Sequence, residues 1–191
     1  MRLRMIRAVF VGTALLSSTL LAQAHAAATS GPVLITSSAS LTAPDLSSRS
    51  DFGGAAAISG DGATVVVGAK GQGAGRVYVF VRPRSGWKSA GRSEATLAEP
   101  ASRPGDEFGS SVAISANGRV VLVAAYNGYQ GIQVFVYKRR NSNWTSTARP
   151  EAVLTRSGLG PGAGFGYSVA LSGDGRTALS GLRRITWTID G

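Results

Sequence analysis

No cysteine occurs among the 191 residues, and the single histidine, His25, lies within an amino-terminal segment that bears the marks of an export signal. The mature chain therefore has no disulfide framework, no lipid-attachment cysteine, no Cys nucleophile, no Cys/His zinc site and no Ser-His-Asp arrangement. Acidic residues are scarce, 10 against 20 basic, for a formal net charge of +10. A basic chain is drawn to anionic polymers, but the basic residues here are scattered, apart from Lys138-Arg139-Arg140 and Arg183-Arg184. Such short runs read as solvated hairpin tips and edges. A sustained apolar period of 3.6 is also missing beyond the first segment, and 26 glycines would break any helix that began.

The chain opens M-R-L-R-M-I-R, runs through the largely apolar stretch Ala8 to Leu21 and reaches Ala22-Gln23-Ala24-His25-Ala26. A basic start, an apolar core too short to span a bilayer and an A-x-A site make a secretory signal over residues 1–26, with cleavage after Ala26 preferred over Ala24. Its removal takes Arg2, Arg4 and Arg7 and leaves a basic chain with no transmembrane segment. A secreted or periplasmic location follows, and nucleic acid is disfavoured as a partner. An exported protein without disulfides needs another source of stability, which a repeated apolar sheet core provides.

The repeat is explicit. Asp51 to Ala69 reads D-F-G-G-A-A-A-I-S-G-D-G-A-T-V-V-V-G-A. Asp106 to Ala125 reads D-E-F-G-S-S-V-A-I-S-A-N-G-R-V-V-L-V-A-A, and Phe165 to Leu182 reads F-G-Y-S-V-A-L-S-G-D-G-R-T-A-L-S-G-L. Phe-Gly falls at 52–53, 108–109 and 165–166, a spacing of 56 and then 57 residues. Ser59 and Gly62, Ser115 and Gly118, Ser172 and Gly175 keep step, and an A-x-L triplet places Leu41, Leu97 and Leu154 eleven residues ahead of each Phe-Gly. That period sits just beyond the range usual for stacked or radial repeats and close to that of kelch-like propeller blades. The organisation is then a signal over 1–26, a leading strand and linker over 27–50, full repeats over 51–105 and 106–163, and a partial repeat over 164–191.

Within a unit, each A-x-L ends one strand and each Phe-Gly opens the next. Gly60-Asp61-Gly62 is a hairpin turn, and Thr64-Val65-Val66-Val67 is β-branched and continuously apolar, a strand covered on both faces. Val77 to Val81 is a third strand, and the stretch from Trp87 to Leu97 is a fourth strand or an irregular approach to one. Unit two repeats the order through Val112–Ser115, Val120–Ala124, Val134–Tyr137 and Trp144, while unit three keeps Val169–Ser172 and then drifts, with Arg183 to Asp190 alternating like a third strand. Four antiparallel strands per period is the make-up of a propeller blade. The expected fold is all-β.

Phe-Gly followed by S-V-A-I-S-x-x-G, T-V-V-V-G-A and G-R-V-Y-V-F with a tryptophan beyond resembles the FG-GAP repeat, the unit of the integrin α-chain amino-terminal β-propeller and of many bacterial exported proteins. The resemblance covers about residues 39–190 and implies radial blades and a role in binding, as in cell adhesion, rather than catalysis. Many members carry a calcium loop D-x-D-x-D-G between the first two strands. Here those loops are S-G-D-G, S-A-N-G and S-G-D-G, so Asp61, Asn117 and Asp174 read as turn residues, and no metal or cofactor is expected. Propellers close with about 4 to 8 blades. Two full units, a partial third and the strand over 33–43 make an incomplete or open array, and pairing of that strand with the outer edge of the third unit would still leave three blades strained or open. Exposed faces and edges then invite self-association. A reading frame truncated near Gly181, giving a non-functional fragment, is the alternative.

No catalytic residue is assigned. The mature acids are Asp45, Asp51, Asp61, Glu94, Glu99, Asp106, Glu107, Glu151, Asp174 and Asp190. Two of them brought to about 5–10 Å apart in one cleft would run glycoside hydrolysis, so a carbohydrate-active hydrolase stands as the alternative to an interaction module that binds a protein or polysaccharide. The glycine-rich stretches Gly71–Gly75 and Gly158–Gly164 precede no helix that would hold a phosphate and read as turns. Trp87 and Trp144 occupy equivalent positions, either buried as seals between blades or exposed as ligand platforms. Phe52, Phe108 and Phe165 read as core anchors, each followed by a glycine that lets the backbone pass close to its neighbour.

Overall fold

The computed structural model describes residues 8–11, 37–127, 131–155 and 163–184. Among them every regular element is a strand: β1 (Ala8–Val11), β2 (Ser37–Leu41), β3 (Phe52–Ile58), β4 (Thr64–Ala69), β5 (Arg76–Val81), β6 (Ala95–Leu97), β7 (Ser111–Ile114), β8 (Val120–Asn127), β9 (Gly131–Lys138), β10 (Ala152–Leu154), β11 (Ala163–Leu171) and β12 (Ala178–Arg184). β3-β4-β5-β6 and β7-β8-β9-β10 form two four-stranded antiparallel sheets, β11-β12 is a hairpin, and β1-β2 is a separate parallel pair. The sheets do not close on themselves. They stand as open, propeller-like blades.

One turn makes each hairpin. Ser59 Oγ accepts from the Thr64 amide at 2.9 Å and donates to Asp61 Oδ1, which also caps the Ala63 amide. Ser115 and Asn117 repeat this geometry on Val120 and Arg119, and Ser172 and Asp174 repeat it on Thr177 and Arg176. Gly62, Gly118 and Gly175 follow at φ +63°, +64° and +73°, left-handed values that a Cβ would strain. The Phe-Gly glycines are equally uniform, with Gly53, Gly109 and Gly166 at φ +93°, +96° and +88°.

The core lies between blades. Val66, Val77, Val79 and Leu97 of the first sheet pack with Phe108, Val121, Val123, Phe135, Tyr137 and Trp144 of the second. Every residue of β4 is buried, as its unbroken apolar run requires. On the opposite face of the first sheet, Val65, Val67, Tyr78, Phe80 and Trp87 meet Ala39, Leu41 and Ala43. Ala113, Leu122 and Val134 form a smaller cluster with Val169 and Leu171 of the hairpin. Phe52 makes edge contacts with Tyr78 and Phe80, and Phe108 does the same work against Phe135 and Tyr137. A Cβ on Gly68 would collide with the Gly109 carbonyl, so the Gly-Ala of one blade is where the Phe-Gly of the next passes closest.

Several details depart from the sequence reading. The fourth strands are short, with Trp87 to Glu94 an irregular approach to β6. β11 begins at Ala163, so the end of the glycine-rich stretch is strand and not turn, because it pairs with β12. Arg183 and Arg184 fall in β12, opposite Gly164 and Ala163, and so belong to the second strand of the hairpin rather than to a third. Residues 185–190 lie outside the described residues. β2 pairs with β1 and not with the third unit, and Ala8–Val11 lies within the segment read as a signal. An apolar run beside an open strand edge satisfies that edge's backbone groups. Residues 33–36 also lie outside the described set.

Candidate functional site: the cleft between the first two blades

The turn from β4 to β5, Gln72 to Arg76, faces the end of β6 and a loop of the second blade across a cleft of about 480 Å³. Its lining is Gln72, Gly73, Ala74, Gly75, Arg76, Thr96, Ala98, Ser102, Ser146, Thr147 and Ala148. Backbone bonds fix the walls. Thr147 donates its amide to Thr96 O at 3.0 Å, and Ala98 donates to Thr147 O at 3.0 Å. Ser146 Oγ accepts from the Thr96 amide, and the Phe108 amide bonds Ala74 O at 2.9 Å. Gly75 sits at φ +93° hard against the Phe108 backbone, a close approach only glycine allows.

The cleft mixes polar and apolar surface and is held in position. Arg76 Nη1 pairs with Asp45 Oδ2 at 2.9 Å, and Tyr78 donates its hydroxyl to Asp45 Oδ1 at 2.8 Å. Gln72 donates to Asp45 O and accepts from Ser50 Oγ, which ties the turn to the leading linker. Burial, reinforced by the Asp45 carboxylate, pushes the Tyr78 phenol well above its ordinary range. Hydroxyls, backbone groups and one guanidinium can bind a polar ligand such as a sugar or an extended peptide by hydrogen bonds.

The tryptophans are buried seals, not ligand platforms. Trp87 donates its indole N–H to Gly62 O at 3.0 Å and Trp144 to Gly118 O at 3.2 Å, each clamping the turn of its own blade. The turn acids are engaged in the same turns. The Ser59 hydroxyl is the chief cause holding Asp61 below the usual carboxylate range, and Ser172 does so for Asp174. Asp51 pairs with Lys70 at 3.6 Å, Glu151 with Arg140 at 2.7 Å, and Glu94 accepts from the Trp144 amide. Asp51 and Glu107 both sit at positive φ, 51° and 48°, one residue ahead of each phenylalanine. Their equivalence marks them as parts of the strand entrance. The Arg183 and Arg184 side chains, Phe165 and Asp190 lie outside the described side chains.

Sequence reasoning named one pair only among the ten mature acids, without singling it out. Glu99 and Asp106, in the linker between the blades, are both 5 % exposed. Asp106 Oδ2 accepts from the Arg103 amide, whereas Glu99 Oε2 is buried without a partner. Burial first, and the Asp106 charge second, push the Glu99 carboxyl up to about 7. Glu99 raises the Tyr137 phenol in turn, although burial is the larger cause there. Neither carboxylate lines the cleft. The available signal was register: two residues past Leu97 stands Glu99, where two past Leu41 stands the buried Ala43.

A family model of the FG-GAP repeat matches residues 35–80. Among curated proteins, none matches this chain. Of solved structures, a chain of Chaetomium thermophilum Polycomb Repressive Complex 2 bound to GSK126 is similar at 14 % identity and a TM-score of 0.44, over 68 % of this chain and 26 % of that one. A chain of Kuenenia stuttgartiensis Hydrazine Synthase is similar at 15 % identity and a TM-score of 0.43, over 72 % of this chain and 31 % of that one. The present chain thus spans about a quarter to a third of the length of these two.

Proposed function

We propose that this chain, which carries an FG-GAP repeat over residues 35–80, is an exported interaction module without catalytic activity that takes a protein or polysaccharide ligand. The cleft between the first two blades carries the reading. It presents Thr96, Ser102, Ser146 and Thr147 hydroxyl groups and Arg76 on a frame fixed by backbone bonds. Its lining contains no Asp or Glu to act on a bound ligand. Export rests on the segment 1–26, and amino-terminal sequencing of protein recovered outside the cytoplasm should begin at Ala27. Binding is tested on glycan and protein arrays with the wild type and with Ser146→Trp, whose indole fills the cleft. Ligands retained by the wild type and lost by the variant support the reading, and ligands bound equally by both would refute it.

The hydrolase reading has one observation in its favour, the raised Glu99 carboxyl beside Asp106. Release of reducing ends that disappears in Glu99→Gln would establish it in place of the module. The burial of both carboxylates, neither of which lines the cleft, favours a structural role for both acids.

A further inference from the structure

Cations that are scattered along the chain are gathered in space. β3, β7 and β11 each run toward a Ser-x-x-Gly turn, and β5 and β9 return to that same end, so the turns after Ile58, Ile114 and Leu171 and those after Val81 and Lys138 stand together. The first set abuts in series, with Gly60 against Ala116 and the Ala116 amide bonded to Gly173 O at 2.9 Å. The second set is tied to the first, Arg82 donating its amide to Ala63 O at 2.7 Å and Arg139 to Arg119 O at 2.8 Å.

The first blade contributes Arg82 and Arg84 to this end and the hairpin contributes Arg176, all exposed. The second blade adds exposed Arg119, Lys138 and Arg140 and half-buried Arg139. Arg119 and Arg139 stand opposite one another, one step beyond the Val120–Lys138 pair of β8 and β9, an arrangement that like charges disfavour. Arg139 makes no ion pair among the described residues, and its Nε is buried without a hydrogen bond. The acids at this end are already engaged. Asp61 and Asp174 are turned onto the Ser59 and Ser172 hydroxyls and onto backbone amides, Glu94 accepts from the Trp144 amide, and Glu151 pairs with Arg140. Where the other turns have an aspartate, the second blade has Asn117. The other end of the blades is balanced: Asp45 pairs with Arg76 and Asp51 with Lys70, and Glu99, Asp106 and Glu107 accompany Arg49 and Arg103.

We infer that the turn end of the blades is a second binding surface, for a linear anionic polysaccharide bearing carboxylate or sulfate groups. It is separate from the cleft, whose Gln72–Arg76 wall stands at the other end of β5. A contiguous ridge of turns with cations from three units suits a repeating polyanion, each unit meeting successive charges. An anion between Arg119 and Arg139 relieves the repulsion across that pair. Asn117, Asn141, Ser142 and Asn143 are exposed in the same turns and can bond sugar hydroxyls. None of the exposed large apolar side chains, Ile58, Tyr126, Val153, Tyr167 and Leu179, lies within these turns, so a bilayer would gain no inserted surface there.

The test titrates the purified full chain with heparin, alginate and uncharged dextran at physiological ionic strength. Heparin and alginate should bind, dextran should not, and binding should weaken as salt rises. Arg84→Ser with Arg119→Ser, at the turn end, should raise the dissociation constant for both polyanions by about tenfold and make its salt dependence shallower. Arg49→Ser with Arg103→Ser removes the same charge from the other end and should change it by less than about threefold. All four arginines are exposed, and far-ultraviolet circular dichroism unchanged from wild type shows that both double variants fold. Equal losses in the two double variants mean attraction to net charge alone and overturn the inference. So does failure of both polyanions to bind, or dextran bound as tightly as alginate. Vesicles of phosphatidylglycerol bound more tightly than either polysaccharide, with the same loss in the turn-end variant, overturn it in favour of a lipid surface.

Discussion

The second blade and the third unit begin with the same hairpin. Ser115 and Ser172 make identical turns, Gly118 and Gly175 share a left-handed backbone, and Gly109 and Gly166 lie within 10° of one another in φ. What differs is what stands on the far side. β8 is covered by β9 along one edge and by blades on both faces, so Val121 to Ala125 are all buried. In the hairpin, Ala178 and Leu179 at the matching positions are exposed. Local sequence therefore builds the hairpin, and neighbours supply its burial. A blade in this chain is a unit of geometry before it is a unit of stability.

That contrast can be sharpened by matched substitutions. The largest effect belongs to Phe108→Ala, which removes a fully buried ring packed on Phe135 and Tyr137 and should cost about 3–5 kcal/mol in denaturant unfolding. Leu122→Ala should cost about 2–5 kcal/mol, while Leu179→Ala at the same register should stay within about 0.5 kcal/mol of its parent. Equal costs would break the comparison.

A smaller pair concerns the turns. Gly118→Ala and Gly62→Ala both strain a positive φ, at about 1 kcal/mol each. Only Gly118→Ala also presses on Thr64, so it should lower the melting temperature further than Gly62→Ala does.

The smallest effect is read against pH. Glu99 is pushed up from 4.5 to about 7, so the folded chain holds a proton there that the unfolded chain releases. Its contribution to stability therefore falls as pH rises from about 4.5 to about 7. Glu99→Gln should flatten that dependence and gain about 1 kcal/mol above pH 7. Asp61 acts oppositely: its carboxyl is depressed, so the stability it contributes is lost as the pH falls through the acid range.

Much of this was legible in the chain because it is local. Ser-x-x-Gly spacing requires the turn, β-branched runs such as Val65–Val67 require strands, and Phe-Gly marks a backbone conformation that glycine alone adopts readily. The all-β class and the four-stranded sheets follow from those. The site was less legible, since the cleft is made by Gln72–Arg76 and Ser146–Ala148, which come together only through the bridge between Leu97 and Thr147. The burial of Glu99 is signalled only by its register with the buried Ala43, and the path of the linker between two sheets completes it. The start of β11 at Ala163 was hidden by glycines that look like a turn until a partner strand claims them.

The central claim is that equal hairpins differ in stability only by what covers them. Native-state hydrogen exchange tests it most directly. The account predicts that amides of Val121 to Ala124 exchange near the rate set by global unfolding, and that those of Ala178 to Gly181 exchange orders of magnitude faster through local opening. Equal protection of the two strands would contradict it.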